Sequence, residues 1–379
     1  MTEDTDPVVV EAIRTPQGKR DGVFADVTSE QLSVPLVDEI LARTGLTGED
    51  VDDVKWGCAR PEGEQGSNIA RVIALTSELG ETVPGTTVDR LCASSAEAIM
   101  SAADSIRAGS RDCIVAGGVE NMTRVQRKEE IDVYEGVQAR YDVDDLWMGS
   151  TAEAVAERYD ISREEQDAYG ARSQQRAVAA TEEERFDDEI LPIHNGEELV
   201  EVDEGLRPGT TKESISGLPP AFQEDGTVTA ATSSQISDGA SALLVTSRAF
   251  ADEHDLDVLA EIGAHNVAGV DPEVMGIGPV PAVEGLMERA GTTIEDYDLV
   301  ELNEAFASQT LYCQRELGIP DDIFNVNGGA IAIGHPLGAS GARLPVTLVH
   351  EMHERGAERG LSTQCVGYGQ GGAIEFFLP

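Results

Sequence analysis

Residues 324–372, FNVNGGAIAIGHPLGASGARLPVTLVHEMHERGAERGLSTQCVGYGQGG, follow the layout of the earlier residues 86–120, TTVDRLCASSAEAIMSAADSIRAGSRDCIVAGGVE. In each stretch a strand-like segment ends at a turn, a helical segment rich in small residues follows, and a second strand-like segment leads to two adjacent glycines. A layout that occurs twice indicates two units built from one supersecondary pattern. We therefore predict two similar α/β units that face each other.

Apolar runs alternate with helical segments in the rest of the chain as well. Residues 8–13 and Asp53–Gly57 predict strands, and Ser29–Thr44 predict an amphipathic helix between them. This alternation is typical of α/β layers. Residues 120–235 differ, because they hold most of the charged helical sequence and several proline-containing segments. Long insertions of this kind usually carry binding loops or lids, so we predict a loop-rich insertion into the first unit.

The charge of the chain is unusual. Asp and Glu number 71 against 27 Lys and Arg, which gives a formal net charge of -44 over 379 residues. Such a field repels polyanions, so nucleic acid is excluded as a partner. The acids are dispersed along the chain and lysine is scarce, a pattern that indicates adaptation to high salt. The alternative is an acidic protein that works at ordinary salt.

The N-terminal sequence MTEDTDPVVVEAIRTP has no basic start followed by an apolar run, so we expect no secretory signal. No apolar run is long enough to span a membrane. The five cysteines are widely spaced and form no CxxC pair, which indicates reduced thiols instead of disulfides or a zinc site. These features predict a cytoplasmic protein without a bound metal.

Cys92 and His335 are the first candidates for chemistry. Cys92 opens a helix predicted over residues 93–106, and a thiol at a helix N-terminus is expected to have a lowered pKa. His335 lies among glycines beside Pro336, where substrate can approach a base closely. The alternatives are a small buried cysteine and a structural histidine.

The glycines around His335 also raise the question of a nucleotide loop. The stretch contains no lysine, so it does not match the GxxxxGK[ST] phosphate loop. The spacing of Gly334, Gly338 and Gly341 does not match the dinucleotide pattern GxGxxG either. A phosphate-binding role for this stretch is therefore disfavoured.

Three further residues stand at predicted element ends. Cys365 follows a strand-like segment and is followed by the open backbone of Gly367, while Asn303 lies where a buried strand gives way to a helix. Two thiols, an imidazole, an amide and free N–H groups suit acyl chemistry, as nucleophile, base, second acid/base and oxyanion donors.

Eight segments resemble the successive motifs of the thiolase family, in the family's order and over nearly the whole chain. They are VDRLCASSAEAI, AGGVENMT, MGSTAE, TAATSSQISDGASALLV, MGIGPVPA, ELNEAFA, NVNGGAIAIGHPLGASGAR and CVGYGQGGA. The resemblance implies the thiolase fold, an α/β fold with two similar units in a five-layer αβαβα arrangement and an inserted loop domain. The implied boundaries are 1–118 plus 236–258 for the N-terminal unit, 119–235 for the loop domain and 259–379 for the C-terminal unit.

The resemblance also implies roles. Cys92 would be the nucleophile that takes the acyl group, and His335 would activate it and bind one thioester oxygen. Asn303 would hold a water in that same oxyanion hole, and Cys365 would be the acid/base at the acetyl-CoA carbanion. The backbone N–H groups of Cys92 and Gly367 would form a second oxyanion hole for the acyl-enzyme.

Coenzyme A and acyl-CoA are the implied substrates, with no permanently bound cofactor. By the same resemblance Ser234 would lie near the pantetheine, and Met148, Phe222 and Phe306 would line the acyl or pantetheine pocket. Arg207 in the loop domain would contact the nucleotide.

The implied activity is thiolytic cleavage of 3-ketoacyl-CoA to acetyl-CoA and a shortened acyl-CoA in fatty acid β-oxidation. The alternative is an acetyl-CoA C-acetyltransferase that condenses two acetyl-CoA for isoprenoid or polyhydroxyalkanoate synthesis. The segments WGCARPEGEQGSNIAR and RLCASS resemble the degradative members more closely. We expect a homodimer or a dimer of dimers, and the degradative direction is compatible with a hydratase/dehydrogenase partner.

The chain departs from the family pattern in four places. Ala231 replaces a common glycine, Tyr368 replaces a smaller residue, and Trp147 stands where biosynthetic members often have histidine. Residues 125–145 are short and charged near the loop that joins biosynthetic tetramers. These departures bear on the acyl-chain preference and on tetramer formation.

Three rival functions stay open on the sequence. A ketosynthase or hydroxymethylglutaryl-CoA synthase would lack the second thiol, Cys365, in its Cys-x-Gly setting. A papain-like hydrolase uses Cys, His and Asn and would release free acid. A non-catalytic CoA-binding or scaffold protein would have an inert Cys92.

Overall fold

One large mixed sheet forms the centre of the computed structural model, which describes residues 4–125 and 134–379. The strands are β1 (Pro7–Arg14), β2 (Gly18–Lys19), β3 (Asp53–Gly57), β4 (Gly85–Val88), β5 (Cys113–Asn121), β6 (Ile193–His194), β7 (Leu199–Val200), β8 (Ser237–Ser247), β9 (Ala260–Gly269), β10 (Leu299–Leu302), β11 (Arg359–Val366) and β12 (Gln370–Phe377). The order across the sheet is β10-β11-β12-β9-β1-β8-β5-β3-β4, with β2 paired to β8. The strands β6 and β7 form a separate hairpin.

The sheet consists of two half-sheets that meet where β1 pairs with β9, at Val8↔Glu261 and Val9↔Ala260. In the N-terminal half-sheet β4, β3 and β5 are parallel, and β8 and β1 follow antiparallel. In the C-terminal half-sheet β10 and β11 are parallel, and β12 and β9 follow antiparallel. The two halves therefore share a strand arrangement, which confirms the predicted pair of similar α/β units.

The helices cover these half-sheets in layers. They are α1 (Ser29–Thr44), α2 (Ile69–Thr76), α3 (Ser94–Arg107), α4 (Glu135–Gln138), α5 (Met148–Arg158), α6 (Arg163–Glu182), α7 (Lys212–Ile215), α8 (Arg248–Glu253), α9 (Pro279–Ala290), α10 (Ala307–Leu317) and α11 (Leu337–Arg355). One apolar core packs α1 and α2 on the N-terminal half-sheet, and another packs α9 and α10 on the C-terminal half-sheet. A third core holds α3 and α11 between the two half-sheets. This is the predicted five-layer αβαβα arrangement.

The outer helix α1 shows how local sequence sets an element. Thr28 caps its start in a capping box with Gln31, and Gly45, in the left-handed region at φ 72°, ends it. Its buried face includes Leu32, Leu36 and other apolar side chains at helical spacing. The observed bounds of α1 and β3 equal the predicted ones, and the strand predicted over residues 8–13 lies within β1.

The segment between β5 and β8 contributes no strand to the large sheet among its described residues. It contains α4 to α7 and the β6–β7 hairpin, as a loop-rich insertion would. The strand β5 continues to Asn121, three residues past the predicted boundary at 118. Part of the short charged segment 125–145, namely residues 126–133, lies outside the described residues.

Residues 4–125 and 134–379 contain neither a membrane-spanning helix nor a metal-binding cluster. No helix within them is long and apolar enough to cross a membrane. No group of three or more His, Cys, Asp or Glu side chains within them has a metal-binding arrangement.

Candidate active site

Cys92 lies between the end of β4 and the start of α3, in a single 3-10 turn formed by Leu91–Ala93. Leu91 has φ 48°, a left-handed conformation that is disfavoured for a branched side chain, so the turn before the thiol is strained. The backbone N–H groups of Gly367 and of Cys92 itself lie near enough to the sulfur to lower the pKa of the thiol. The thiol of Cys92 therefore lies near the turn that contains Gly367.

The pKa of Cys92 is raised, whereas the sequence predicted a lowered one. Burial of the thiol raises its pKa to about 11, and the N–H of Gly367 offsets this only in part. The expectation that the helix N-terminus would lower the pKa of Cys92 was wrong, because loss of hydration outweighs the partial charges of the helix end. The thiol is therefore protonated at rest, and attack by its sulfur requires a base.

His335 has the charge state that such a base needs. It lies two residues before α11, is buried, and its backbone N–H donates to Gln235 O and to Ser237 Oγ, each at 3.2 Å. Burial, and then the positive charge of Arg343, lower the pKa of His335 to about 3. The imidazole is neutral at physiological pH, so a ring nitrogen can accept a proton.

Two side chains contact the imidazole of His335. Ser340 Oγ lies 2.6 Å from its Nδ1 and also donates to Pro336 O at 2.9 Å. Asn303 Nδ2 lies 3.3 Å from its Nε2. Asn303 Oδ1 is buried and has no hydrogen-bond partner among the described residues, so it can accept from a further donor. The side chains of Asn303 and His335 are therefore in contact.

Cys365 is the penultimate residue of β11 and is 1% exposed. Burial raises its pKa well above the usual range, and charge on Cys92 raises it further, so the two thiols lie within electrostatic reach. Cys365 is therefore a protonated thiol within electrostatic reach of Cys92. Such a thiol can act as an acid towards a carbanion in the same pocket.

Gly367 begins the three-residue turn that joins β11 to β12, where Val366 pairs with Gln370. A Cβ at this position would lie 3.2 Å from Leu91 Cδ1 and 4.0 Å from Met148 Cε. Tyr368, the next residue, is 45% exposed and has φ 60°. The turn thus brings the N–H of Gly367 to the Cys92 sulfur and places an unusual aromatic residue at the surface beside it.

Three of the predicted pocket residues lie together. Phe222 and Phe306 make an edge-to-face contact with ring centroids 5.9 Å apart. Met148 packs against a small apolar cluster that contains Phe306 and Cys365. An apolar wall therefore borders the second thiol, as a site for an acyl chain or a pantetheine arm requires.

Ser234 and Arg207 differ in how closely they approach this wall. The N–H of Ser234 donates to Ala305 O at 2.9 Å, which places Ser234 next to Phe306. Arg207 is exposed in a loop, and its N–H donates to Gln174 Oε1 of α6 at 2.9 Å. The described contacts bring Ser234 to the pocket and do not bring Arg207 there.

Two residues of the site were missed from the sequence. Ser340 lies in the GASG segment four residues after Pro336, so a helix beginning at Leu337 would have placed its hydroxyl over the histidine. Leu91 gave no signal, since nothing in the sequence predicts a left-handed leucine.

The chain is similar to known proteins over nearly its whole length. The family model described as "Thiolase, N-terminal domain" matches residues 7–249, and "Thiolase, C-terminal domain" matches residues 256–377. A 3-ketoacyl-CoA thiolase of Marinomonas sp. (strain MWYL1) is 45% identical over 98% of each chain. One of Cronobacter sakazakii (strain ATCC BAA-894) is 46% identical over 97% of this chain and 98% of its own. The crystal structure of the Bacillus anthracis acetyl-CoA acetyltransferase superposes with a TM-score of 0.91 at 39% identity, covering 99% of both chains.

Proposed function

The chain belongs to the thiolase family, and we propose that it cleaves 3-ketoacyl-CoA with CoA to give acetyl-CoA and a shortened acyl-CoA. The observation that carries this proposal is a pair of protonated thiols, the half-buried Cys92 and the buried Cys365, within electrostatic reach of each other. A nucleophile alone would suffice for hydrolysis, whereas carbon–carbon cleavage also needs an acid for the carbanion. The 3-ketoacyl-CoA thiolases among the relatives favour this direction over acetyl-CoA condensation.

In the first half-reaction His335 Nε2 takes the proton of Cys92 while the sulfur attacks the 3-keto carbon. The pKa values of the two groups disfavour an ion pair at rest, so proton transfer accompanies attack. The N–H groups of Cys92 and Gly367 stabilise the oxyanion that forms. The C2–C3 bond then breaks, leaving the acyl group on Cys92 and the electron pair on acetyl-CoA.

The departing acetyl-CoA is an enolate whose oxygen needs donors. His335, now carrying the proton at Nε2, donates to that oxygen together with a water held by Asn303. The thiol of Cys365 protonates the enolate carbon, and acetyl-CoA leaves. Cys365 is then a thiolate beside the acyl-enzyme.

The second half-reaction restores both thiols. The thiolate of Cys365 takes the proton of the incoming CoA thiol, and the CoA sulfur attacks the acyl carbon on Cys92. Cys92 leaves as a thiolate and regains its proton from His335. The two CoA thioesters use one pocket in turn, so the kinetics are ping-pong.

The apolar wall beside Cys365 indicates which residues would bind CoA. Met148, Phe222 and Phe306 would contact the acyl chain or pantetheine arm, and Ser234 would lie beside the arm. Arg207, in an exposed loop of the predicted loop domain, would meet the nucleotide. We also propose that the N-terminal unit comprises residues 1–118 plus 236–258, the loop domain residues 119–235 and the C-terminal unit residues 259–379.

The setting of the enzyme is also part of the proposal. We assign it to the cytoplasm of an organism that maintains high salt, as a homodimer or dimer of dimers, with a hydratase/dehydrogenase as the source of its substrate. Light scattering after size exclusion at molar KCl measures the mass, and a monomer of 40.3 kDa would contradict the assembly.

The test of the activity is direct. Purified protein is mixed with CoA and 3-ketoacyl-CoA of several chain lengths at low and molar salt, and acetyl-CoA and the shortened acyl-CoA are quantified by mass spectrometry. We expect equal amounts of the two products. Folded protein that turns over no chain length at either salt concentration would refute the function, and free acid as the product would point to a hydrolase.

A further inference from the structure

Glu120 is a buried carboxylate that the reaction described above does not use. It stands at the end of β5, is 0% exposed, and has no arginine or lysine ion-pair partner among the described residues. Its Oε2 accepts from the N–H of Ala59 at 2.8 Å and from the N–H of Gly338 at 2.9 Å. Its Oε1 accepts from Gln65 Nε2 at 2.7 Å. Burial raises the pKa of Glu120, and these three N–H donors oppose that rise. A carboxylate kept out of water at this cost, without an ion-pair partner, requires a reason.

The hydrogen bond from Gly338 to Glu120 gives that reason, because Gly338 lies in the first turn of α11, the helix that follows His335. The N-cap residue of α11 is Pro336, whose side chain accepts no hydrogen bond, so α11 begins without a cap of its own. The first N–H groups of a helix need outside acceptors, and a negative charge is favoured there. Glu120, from the other half of the molecule, fills this place three residues after His335.

The backbone of α11 also rests directly on the ends of two strands. A Cβ on Gly338 would lie 2.8 Å from Cys58 Cα and 2.8 Å from Val119 O. A Cβ on Gly118 would lie 2.3 Å from Gly338 O. No side chain fits between these segments, so their backbones are in direct contact. The carboxylate of Glu120 holds the start of α11 at this contact.

The same carboxylate acts on Cys92 through its charge. Burial is the main cause of the raised pKa of Cys92, and the negative charge of Glu120 raises it further, against the positive charge of Arg60. Glu120 therefore contacts the first turn of the helix that follows His335 and lies within electrostatic reach of Cys92.

We propose that Glu120 is a positioning residue for the catalytic pair, whose buried carboxylate holds the first turn of α11, and with it His335, against the strand ends beside Cys92. This inference rests on the proposed function for its catalytic consequence.

The test compares Glu120→Gln with the wild type in two measurements, thiolysis and alkylation of Cys92 by iodoacetamide. We expect kcat to fall about tenfold or more with KM within about threefold, because α11 loses its charged anchor. We expect alkylation at pH 8 to become about threefold faster or more, because Cys92 loses a neighbouring negative charge. A lower kcat together with faster alkylation would support the proposal, when the neutral control described next shows the lower kcat alone.

Ser95→Ala is the matched control. Ser95 Oγ accepts from the N–H of Ala342 at 2.8 Å, so this serine is a neutral link between α3 and α11. Its removal should lower kcat while the alkylation rate stays within about twofold of the wild type. Faster alkylation in this variant would show that loosening of α11, and not the charge of Glu120, controls the reactivity of Cys92.

Glu120→Asp keeps the proposal testable if Glu120→Gln does not fold. The shorter side chain retains the charge and withdraws it from Gly338, so kcat should fall without faster alkylation. A folded Glu120→Gln variant with both rates within twofold of the wild type would refute the proposal. If the wild type cleaves no 3-ketoacyl-CoA, the proposed function fails, while the alkylation rates still decide the action of Glu120 on Cys92.

Discussion

Ser340 Oγ lies 2.6 Å from Nδ1 of His335 while it donates its only proton to Pro336 O at 2.9 Å. A hydroxyl group that donates elsewhere must accept from the imidazole, so Nδ1 carries the hydrogen. The lone pair is then on Nε2, the nitrogen beside Asn303. Ser340 thus fixes the tautomer that can take the proton of Cys92, as the third member of a catalytic triad does.

The first prediction concerns Ser340→Ala. Loss of this hydrogen bond frees the ring of His335 to adopt the other tautomer, so kcat should fall by about 10- to 100-fold, with KM little changed. Steady-state kinetics measure both constants. Ser33→Ala is the control, because Ser33 is likewise buried in a helix and donates to a carbonyl, Ser29 O, but lies in α1. A kcat of Ser340→Ala within twofold of the wild type would show that Ser340 does not orient the base.

The second prediction concerns the pH dependence of Cys92 alkylation in the empty enzyme. The pKa of Cys92 is raised to about 11 and that of His335 is lowered to about 3. The thiolate fraction should therefore rise about tenfold per pH unit from pH 6 to 10, without an inflection from the histidine. Inactivation by iodoacetamide measures this rate. A plateau above about pH 7 would instead reveal a resting thiolate–imidazolium pair.

The third prediction concerns the contact between α3 and α11. A Cβ on Gly341 would lie 2.4 Å from Ala96 N and 2.8 Å from Ala96 Cβ, and neither atom can move without shifting a helix. Gly341→Ala should lower the free energy of unfolding by about 2–4 kcal/mol. Gly217→Ala is the control, because a Cβ there meets no atom within 4 Å. Denaturant titration compares the two, and equal stabilities would contradict the close approach of the helices.

The fourth prediction concerns salt. With a formal net charge of -44, the folded state is destabilised by self-repulsion that ions screen. The temperature of unfolding should rise steadily between about 0.1 M and 2 M KCl, where the Debye length shrinks from about 10 Å to less than 3 Å. Calorimetry measures it. An unfolding temperature that falls or stays constant over this range would leave the acidic surface without a role in salt tolerance.

The elements that were predictable are those that depend on nearby residues. The bounds of α1 follow from its apolar spacing and its capping residues, and Cys92, His335 and Cys365, the side chains proposed as catalytic, stand in distinctive local motifs. The pKa of Cys92 was not predictable, because it depends on burial by segments distant in the chain. The role of Glu120 was hidden for the same reason, since its contact with Gly338 joins residues 218 positions apart.

The separate roles of the two thiols are the central claim, and intact-mass spectrometry of Cys92→Ala and Cys365→Ala tests it most directly. Each variant is incubated with a simple acyl-CoA and, separately, with a 3-ketoacyl-CoA. We predict that Cys92→Ala gains no acyl mass from either compound. Cys365→Ala should be acylated by the simple acyl-CoA yet release no acetyl-CoA from the 3-ketoacyl-CoA, because the carbanion lacks its acid. Equal loss of acylation in both variants, or acylation of Cys92→Ala, would contradict the assignment.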